Sequence, residues 1–330
     1  MTERDKIPGF STLLPDDILD AVESCGHKPS GDLLALNSYE NRVYRVGVEA
    51  GGHKVIKFYR PQRWPDDAIE EEHDYAQEMA DLDIPVVPPD RNNGRTLHHA
   101  DAHRFAVFDC VGGHWPTLES QNTLQQLGRL IGRMHLAGEQ RPFRHRPPIS
   151  IDSHGDTARD FLLDHDHVPE SLRDAYDSLT VDILDTLDNH MANAQAYPLL
   201  RVHNDLHPGN ILQHIDQLHI VDTDDVANGF AVQDLWMFVS GDEHEQSTQL
   251  TALLEGYSEF RRFDLRELGL IESLRTLRIM HYAAWLARRW HDPAFQQAFP
   301  WFDSLRYWNE HILSLREQYA LLLDPPLLTI

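Results

Sequence analysis

The sequence has few cysteines, few lysines and no long apolar run. Only Cys25 and Cys110 are present. Two thiols so far apart make neither a disulfide framework nor a CxxC metal site, and they suit a reducing cytoplasm. No uninterrupted apolar stretch of about 18 residues occurs, so no membrane-spanning helix and no membrane partner are expected. The opening MTERDKIPGF carries no apolar signal core, and a cytoplasmic location is expected. Neither G-x-G-x-x-G nor G-x-x-x-x-G-K-[ST] occurs, which removes the Rossmann and P-loop readings. Positive charge is short as well. Lys+Arg is 29 against 53 Asp+Glu, a formal net charge of −24, and only Lys6, Lys28, Lys54 and Lys57 are lysines. Such a chain repels phosphate at long range, so no nucleic-acid partner is expected. An acidic, lysine-poor surface fits solubility at raised salt, and equally a bias of composition.

What is present is ordinary globular material. Of 330 residues, 41% are hydrophobic and 25% charged, which is not the composition of disorder. A chain of this length buries roughly 75% of its unfolded surface, enough for one large domain or two lobes. Helical periodicity over 15–25 stops at Gly26. Apolar 33–36, alternating 42–48 and apolar 54–59 predict three strands, with a polar turn at 37–41 and Gly51-Gly52 between the second and third. Pro65 precedes an acidic helix over 66–82, and 104–108 reads as a further strand. Gly112-Gly113 is a candidate hinge before a helix over 118–138. The remainder is mostly helical, at 171–193, 232–239, 243–260, 265–290 and 303–322, interrupted by a loop-and-strand region over 199–220. The order predicts an α+β fold with a small antiparallel-sheet lobe and a larger helical lobe, not alternating βαβ. The lobes are expected at 1–110 and 111–330.

The sharpest chemical signal is Val202-His203-Asn204-Asp205-Leu206-His207-Pro208-Gly209-Asn210. Asp205 and Asn210 stand five apart in a loop, and Asp222 ends the apolar strand that follows. Phosphoryl transfer needs a carboxylate to orient and deprotonate the attacking hydroxyl, and hard oxygen ligands for Mg²⁺. A kinase catalytic loop has the form H-x-D-x-x-x-x-N with a metal-binding Asp downstream, and His203, Asp205, Asn210 and Asp222 follow that order. A polar turn with capping Asp and Asn is the plainer alternative. His203 and His207, four apart, suggest a metal site only on a helix, and Pro208-Gly209 argues for a loop. His203 is expected to hold the loop through backbone hydrogen bonds.

Lys57 lies in an otherwise apolar strand and needs an anionic partner if it is buried. Kinases use a lysine so placed to hold ATP phosphates, paired to a helix glutamate. Glu70, Glu71 and Glu72 are available, and Glu72 is the choice. The turn Asn37-Ser38-Tyr39-Glu40-Asn41 sits where such lobes cover the nucleotide phosphates. It has no glycine, but Ser38 and backbone N–H groups can donate there.

The lobe order, Lys57, the H-x-D-x-x-x-x-N loop and Asp222 resemble the aminoglycoside phosphotransferase/choline kinase branch of protein-kinase-like folds. NSYENRVY (37–44), KFYRPQRW (57–64), FAVF (105–108), GRMH (132–135), AVQDLWM (231–237) and WLARRW (285–290) extend the resemblance over nearly the whole chain, to a stress-linked bacterial protein-kinase group of that family. It implies a two-lobe, cytoplasmic, ATP- and Mg²⁺-dependent Ser/Thr protein kinase that phosphorylates itself and acts on a protein hydroxyl; a monomer is expected. Carried over by motif, Asp205 is the catalytic base and Asp222 the second catalytic carboxylate. Asn210 and Asp222 bind Mg²⁺, and Ser38, Lys57 and Glu72 serve ATP. One departure is visible: the motif usually reads His-Gly-Asp, and Asn204 replaces the glycine. If that position requires positive φ, Asn is the least costly replacement.

Three readings therefore stand: a stress-type protein kinase, a small-molecule kinase acting on an amino alcohol, sugar or aminoglycoside, and an inactive kinase fold that only binds. The complete polar catalytic set disfavours the third. The first two share every catalytic residue, and the resemblance favours the first.

Overall fold

The chain opens with α1 (Pro15–Ser24), whose amide end is capped by Asp17 reaching the Leu14 N–H at 2.8 Å. Gly26 ends it in the left-handed region, with φ of +88°, as a helix C-terminus favours. Residues 9–100, 103–192, 194, 197–215 and 217–323 are described by this computed structural model. Most of the opening decapeptide, Lys6 and Asn193 lie outside the described residues.

Five strands follow: β1 (Pro29–Ala35), β2 (Arg42–Val48), β3 (His53–Tyr59), β4 (His98–Ala100) and β5 (His103–Asp109). They form one antiparallel sheet in the order β1-β2-β3-β5-β4. Alternation along β3 decides what each face does. Ile56 and Phe58 join Val46, Phe105 and Val107 in a core closed by Ile18, Ala21 and Val22 of α1. Tyr59 packs with Ile69, Leu97 and Ala106 on the other side. Lys57 shares that second face, which α2 (Asp66–Asp81) covers. β1 starts four residues earlier than its apolar stretch suggested, because Pro29 pairs with Val48 across an irregular register.

The rest of the chain is built mainly from α3 (Gln121–Gly138), α4 (Thr157–Asp164), α5 (Glu170–Met191), α6 (Glu243–Tyr257), α7 (Ile271–Arg289), α8 (Pro293–Ala298) and α9 (Leu305–Leu323). Two small antiparallel pairs are set among them. β6 (Leu200–Val202) pairs with β9 (Ala227–Gly229), and β7 (Ile211–His214) pairs with β8 (Gln217–Ile220). α3 and α6 meet backbone to backbone. A Cβ on Gly128 would stand 2.0 Å from the Leu253 carbonyl oxygen, and one on Gly256 2.0 Å from that of Gln125. The molecule is thus α+β, with a sheet lobe and a larger helical lobe.

Three expectations change. Residues 232–239 are not an α-helix but two 3-10 turns, Ala231–Asp234 and Trp236–Phe238. Their polar groups are drawn into tertiary hydrogen bonds: Val232 N–H donates to Glu267 at 3.0 Å, and Asp234 accepts the backbone N–H groups of His203 and Asn204. The 265–290 helix begins as a 3-10 segment, Leu265–Leu270, and becomes α-helical only at Ile271. The Gly112-Gly113 link is tied down where a hinge was expected. His114 N–H donates to Gln213 O at 3.0 Å and Gln213 N–H to His114 O at 2.7 Å. Gly113 permits this approach, since a Cβ there would lie 3.0 Å from the Gln213 carbonyl oxygen.

Candidate active site

β3 delivers Lys57 from the sheet lobe, and the β8 end delivers Asp222 from the helical lobe. Lys57 is buried, and its Nζ lies 3.1 Å from Asp224 Oδ1, 3.3 Å from Asp222 Oδ1 and 3.6 Å from Glu72 Oε1. Burial alone would lower its pKa, but Asp224, Glu72 and Asp222 outweigh it and raise the ammonium well above its ordinary value. Glu72, on the buried face of α2, also takes Thr223 Oγ1–H at 2.9 Å and Arg146 at 3.0 Å. Glu71 faces elsewhere and accepts the backbone N–H groups of Arg144 and His145. The structure therefore pairs Lys57 with Glu72 and not with its neighbour.

Asp224 is the anchor of this cluster. It contacts Arg63 and Lys57, and Asn41 Nδ2 donates to it at 3.0 Å. Burial would raise its pKa, but Arg63, Lys57 and Arg146 hold it below the usual carboxylate range. Arg63 also pairs with Asp225. Three cations, Lys57, Arg63 and Arg146, thus face four carboxylates, Glu72, Asp222, Asp224 and Asp225. Asp222 is the most exposed of the four, at 56% of its side chain.

The loop 203–210 is held by Asp234. Its carboxylate accepts His203 N–H at 2.7 Å and Asn204 N–H at 2.8 Å, and His135 Nε2 lies 3.0 Å away. Asn204 adopts φ of +70°, the conformation in which glycine is ordinary and Asn the least strained alternative. His203 is fully buried, and its Nε2 is 3.1 Å from Val221 O, the carbonyl immediately before Asp222. That contact spans the two halves of the site. Asp222 itself is left-handed, with φ of +57°, a strained backbone of the kind found at functional positions. His207 accepts Gly209 N–H at 3.0 Å within the loop. Among the described residues no group of three His, Cys, Asp or Glu could hold a metal.

Asp205 carries two kinds of contact. Asn210 Nδ2 donates to its carbonyl at 2.9 Å and to its carboxylate at 3.4 Å. Arg278 Nη1 of α7 lies 2.7 Å from its Oδ1. Because the Asn210 nitrogen is so used, Oδ1 is the Asn210 atom left to accept a cation. An amide oxygen, a half-exposed carboxylate and one negative charge in excess make a donor set suited to Mg²⁺. Val221 N–H donates to Asn210 O at 3.0 Å, which sets the two donor residues side by side.

Ser38 sits in the β1–β2 turn, where its hydroxyl donates to Asn41 O at 3.3 Å. The turn is fastened to the helical lobe through Glu40, which accepts Trp285 Nε1–H at 2.6 Å and pairs with Arg289 and Arg60. Burial pushes the Glu40 carboxyl up, but Arg63, Arg289 and Arg60 bring it below its ordinary value.

Sequence reasoning missed Arg63, Arg146, Asp224, Asp234 and Arg278. The acidic residues Asp224 and Asp225, just after Asp222, were a signal that could have pointed to Asp224, and AVQDLWM (231–237) contained Asp234. No local signal singles out Arg63, Arg146 or Arg278, whose partners are remote in the chain.

The profile of the phosphotransferase enzyme family (APH) matches residues 32–271. The chain is 42% identical over 318 residues to "Stress response kinase A" of Escherichia coli (strain K12), covering 96% of each. It is 40% identical to "Serine/threonine protein kinase RdoA" of Salmonella typhimurium, again over 96% of each. Among solved structures, an amicoumacin kinase in complex with AMP-PNP, Ca²⁺ and Ami superposes with a TM-score of 0.74 at 18% identity, covering 96% of each chain. A microcompartment-associated aminopropanol kinase gives 0.70 at 21%, covering 92% of this chain and 96% of its own.

Proposed function

The chain belongs to the phosphotransferase enzyme family and is a kinase; from that premise we propose that it is an ATP- and Mg²⁺-dependent Ser/Thr protein kinase of bacterial stress response. The observation that carries this reading is the convergence of Lys57 and Glu72 from one lobe with Asp222 and the Asp205–Asn210 loop from the other. The relative named a serine/threonine protein kinase supports a protein acceptor. The enzyme works as a cytoplasmic monomer, with a nucleotide-binding lobe over 1–110 and a catalytic lobe over 111–330, and it phosphorylates itself. No helix among the described residues is long and apolar enough to cross a membrane.

In this reading Lys57 binds the α- and β-phosphates and Glu72 orients it. The β1–β2 turn, closed by Ser38, lays backbone N–H groups over the phosphates. Asn210 and Asp222 would hold Mg²⁺, which would neutralise charge on the phosphate oxygens. Asp205 orients the acceptor hydroxyl and takes its proton as the oxygen bonds to the γ-phosphorus. The bond from that phosphorus to the β–γ bridging oxygen breaks, and ADP leaves.

The test is incubation with labelled ATP and Mg²⁺ alone, with a generic protein acceptor, and with choline or an aminoglycoside, followed by phosphosite mapping. Phosphoserine or phosphothreonine on the enzyme or the added protein is expected. Rapid labelling of the small alcohol with no phosphoprotein would replace this reading by a small-molecule kinase.

A further inference from the structure

A cavity of about 610 Å³ lies against α7, and Arg278 in its wall also contacts Asp205. Its wall is one stripe of α7, with Arg275, Arg278 and Tyr282 at helical spacing, completed by Trp301 and Tyr307. Arg278 is the direct link to the chemistry, because its Nη1 is 2.7 Å from Asp205 Oδ1. Arg275 lies one turn earlier with its guanidinium 5.2 Å from the Trp236 ring centroid. Its Nε is buried and makes no hydrogen bond, and Glu272 stands 3.6 Å away. Glu310, the acidic group of the wall, is engaged by Arg306 at 2.7 Å. The cavity therefore offers two guanidiniums and an aromatic surface, within a molecule whose net charge is −24.

We propose that this cavity receives an acceptor whose hydroxyl is flanked by a negative charge, and that Arg278 is the residue that selects it. The inference rests on the kinase reading above and deepens it: the acceptor is an acidic Ser/Thr segment, with Asp or Glu near the target hydroxyl. Two observations carry it. The first is charge. A cationic amine entering here meets Arg275 and Arg278, whereas a carboxylate meets a planar fork that matches its geometry. The second is competition. Asp205 Oδ1 is held by Arg278, while Oδ2 is only loosely approached by Asn210 at 3.4 Å and His207 at 3.6 Å. An anionic flank offers Arg278 an alternative partner, and the side chain, 44% exposed, has room to turn toward it. The acceptor that binds best is then the one that also frees the base. Tyr282 and Trp301, both partly exposed, supply the apolar contact typical of a peptide interface. Arg278 is a specificity and positioning residue in this scheme, and Asp205 remains the base.

The experiment compares three serine peptides of one length, flanked by Glu, by Gln or by Lys, with the parent enzyme and with Arg278→Gln, Arg278→Glu and Arg275→Gln. Choline and glycerol 3-phosphate are run beside them. Nucleotide binding and thermal unfolding are measured on each variant, so a folding defect is seen as such. The parent is expected to favour the Glu peptide over the Gln peptide at least about ten-fold in kcat/KM, the scale of one well-placed ion pair. Arg278→Gln should bring that ratio near one, mainly through KM. Arg278→Glu should turn the preference toward the Lys peptide, which a merely structural role would not do. Arg275→Gln should weaken the preference in part. Equal use of all three peptides by the parent, or equal loss on all three in Arg278→Gln, overturns the proposal. Arg278-dependent phosphorylation of glycerol 3-phosphate with no peptide product would overturn the protein acceptor and support the anionic one. Faster transfer to choline than to any anionic acceptor would overturn the inference while leaving the kinase chemistry intact.

Discussion

Lys57 stands among three carboxylates, two of which do not depend on it alone. Arg146 also holds Glu72, and Arg63 also holds Asp224. Lys57→Met should therefore lower phosphotransfer at least about 100-fold, on the scale of losing one positioned charge from a transition state. Its stability should fall by only about 1–2 kcal/mol, a shift of roughly 2–3 degrees in a chain of this length, less than the ~3–5 kcal/mol expected when a buried ion loses its sole partner. Initial rates and thermal melts on the same preparation check this, and parental rates would move the phosphate contact to another residue. Asp205, Asn210 and Asp222 were legible in the sequence because their relation is local: one loop and the strand after it. Asn204 was legible for the same reason, since a left-handed position tolerates few side chains and its φ is +70°. Arg278 was not legible. Its bond to Asp205 exists only once α7 has packed beside the loop.

Elements show the same division. The sheet and the long helices follow from periodicity, because a strand shows its buried face every second residue and a helix every three or four. Residues 231–238 do not, because that stretch is buried on most sides and gives up regular helix to serve Asp234 and Glu267 contacts. The π-helical segment Asp152–Asp156 and the short α8 carry no period long enough to read. The α3–α6 contact is different again, since glycine in helix interiors looks unfavourable until the partner helix is seen. Gly128→Ala places a methyl against the Leu253 backbone, which no rotamer can relieve. It should cost about 3 kcal/mol or more, at the upper end of overpacking, although Ala is the better helix former. Denaturant titration checks the sign; a stabilised variant would show that the two helices have room to separate.

At the scale of the molecule, the two lobes are joined by polar bonds as well as by the chain. Asn41 to Asp224, Arg60 to Asp292 and Glu40 to Trp285 all cross between them. Stability should also depend on acid, through histidines kept neutral inside. His73, bonded to Tyr59 at 2.6 Å and Thr96 at 2.9 Å, is lowered to about 3 by burial and by Lys57 and Arg146. Burial lowers His311 to about 4, and burial with Arg288 and Arg278 lowers His154 to about 4. Each takes up a proton on unfolding once the pH falls below its unfolded value of about 6.5. Stability is then full above about pH 6.5 and lost as the pH falls toward 4. The raised carboxyls of Glu267 and Asp156 oppose part of the loss. A slope on the order of 3 kcal/mol per pH unit near pH 5 is expected from denaturant midpoints, and a flat profile from 6.5 to 4.5 would show these rings to be protonated in place. In the proposed mechanism the kinase chemistry depends on one carboxylate, Asp205. Transfer of labelled phosphate to Ser or Thr, measured with and without Mg²⁺ in the parent and in Asp205→Ala, reads it directly. Mg²⁺-dependent phosphoprotein in the parent should fall by about 10²–10⁴ in the variant, with nucleotide binding retained. Near-parental transfer by Asp205→Ala would contradict the assignment of the base.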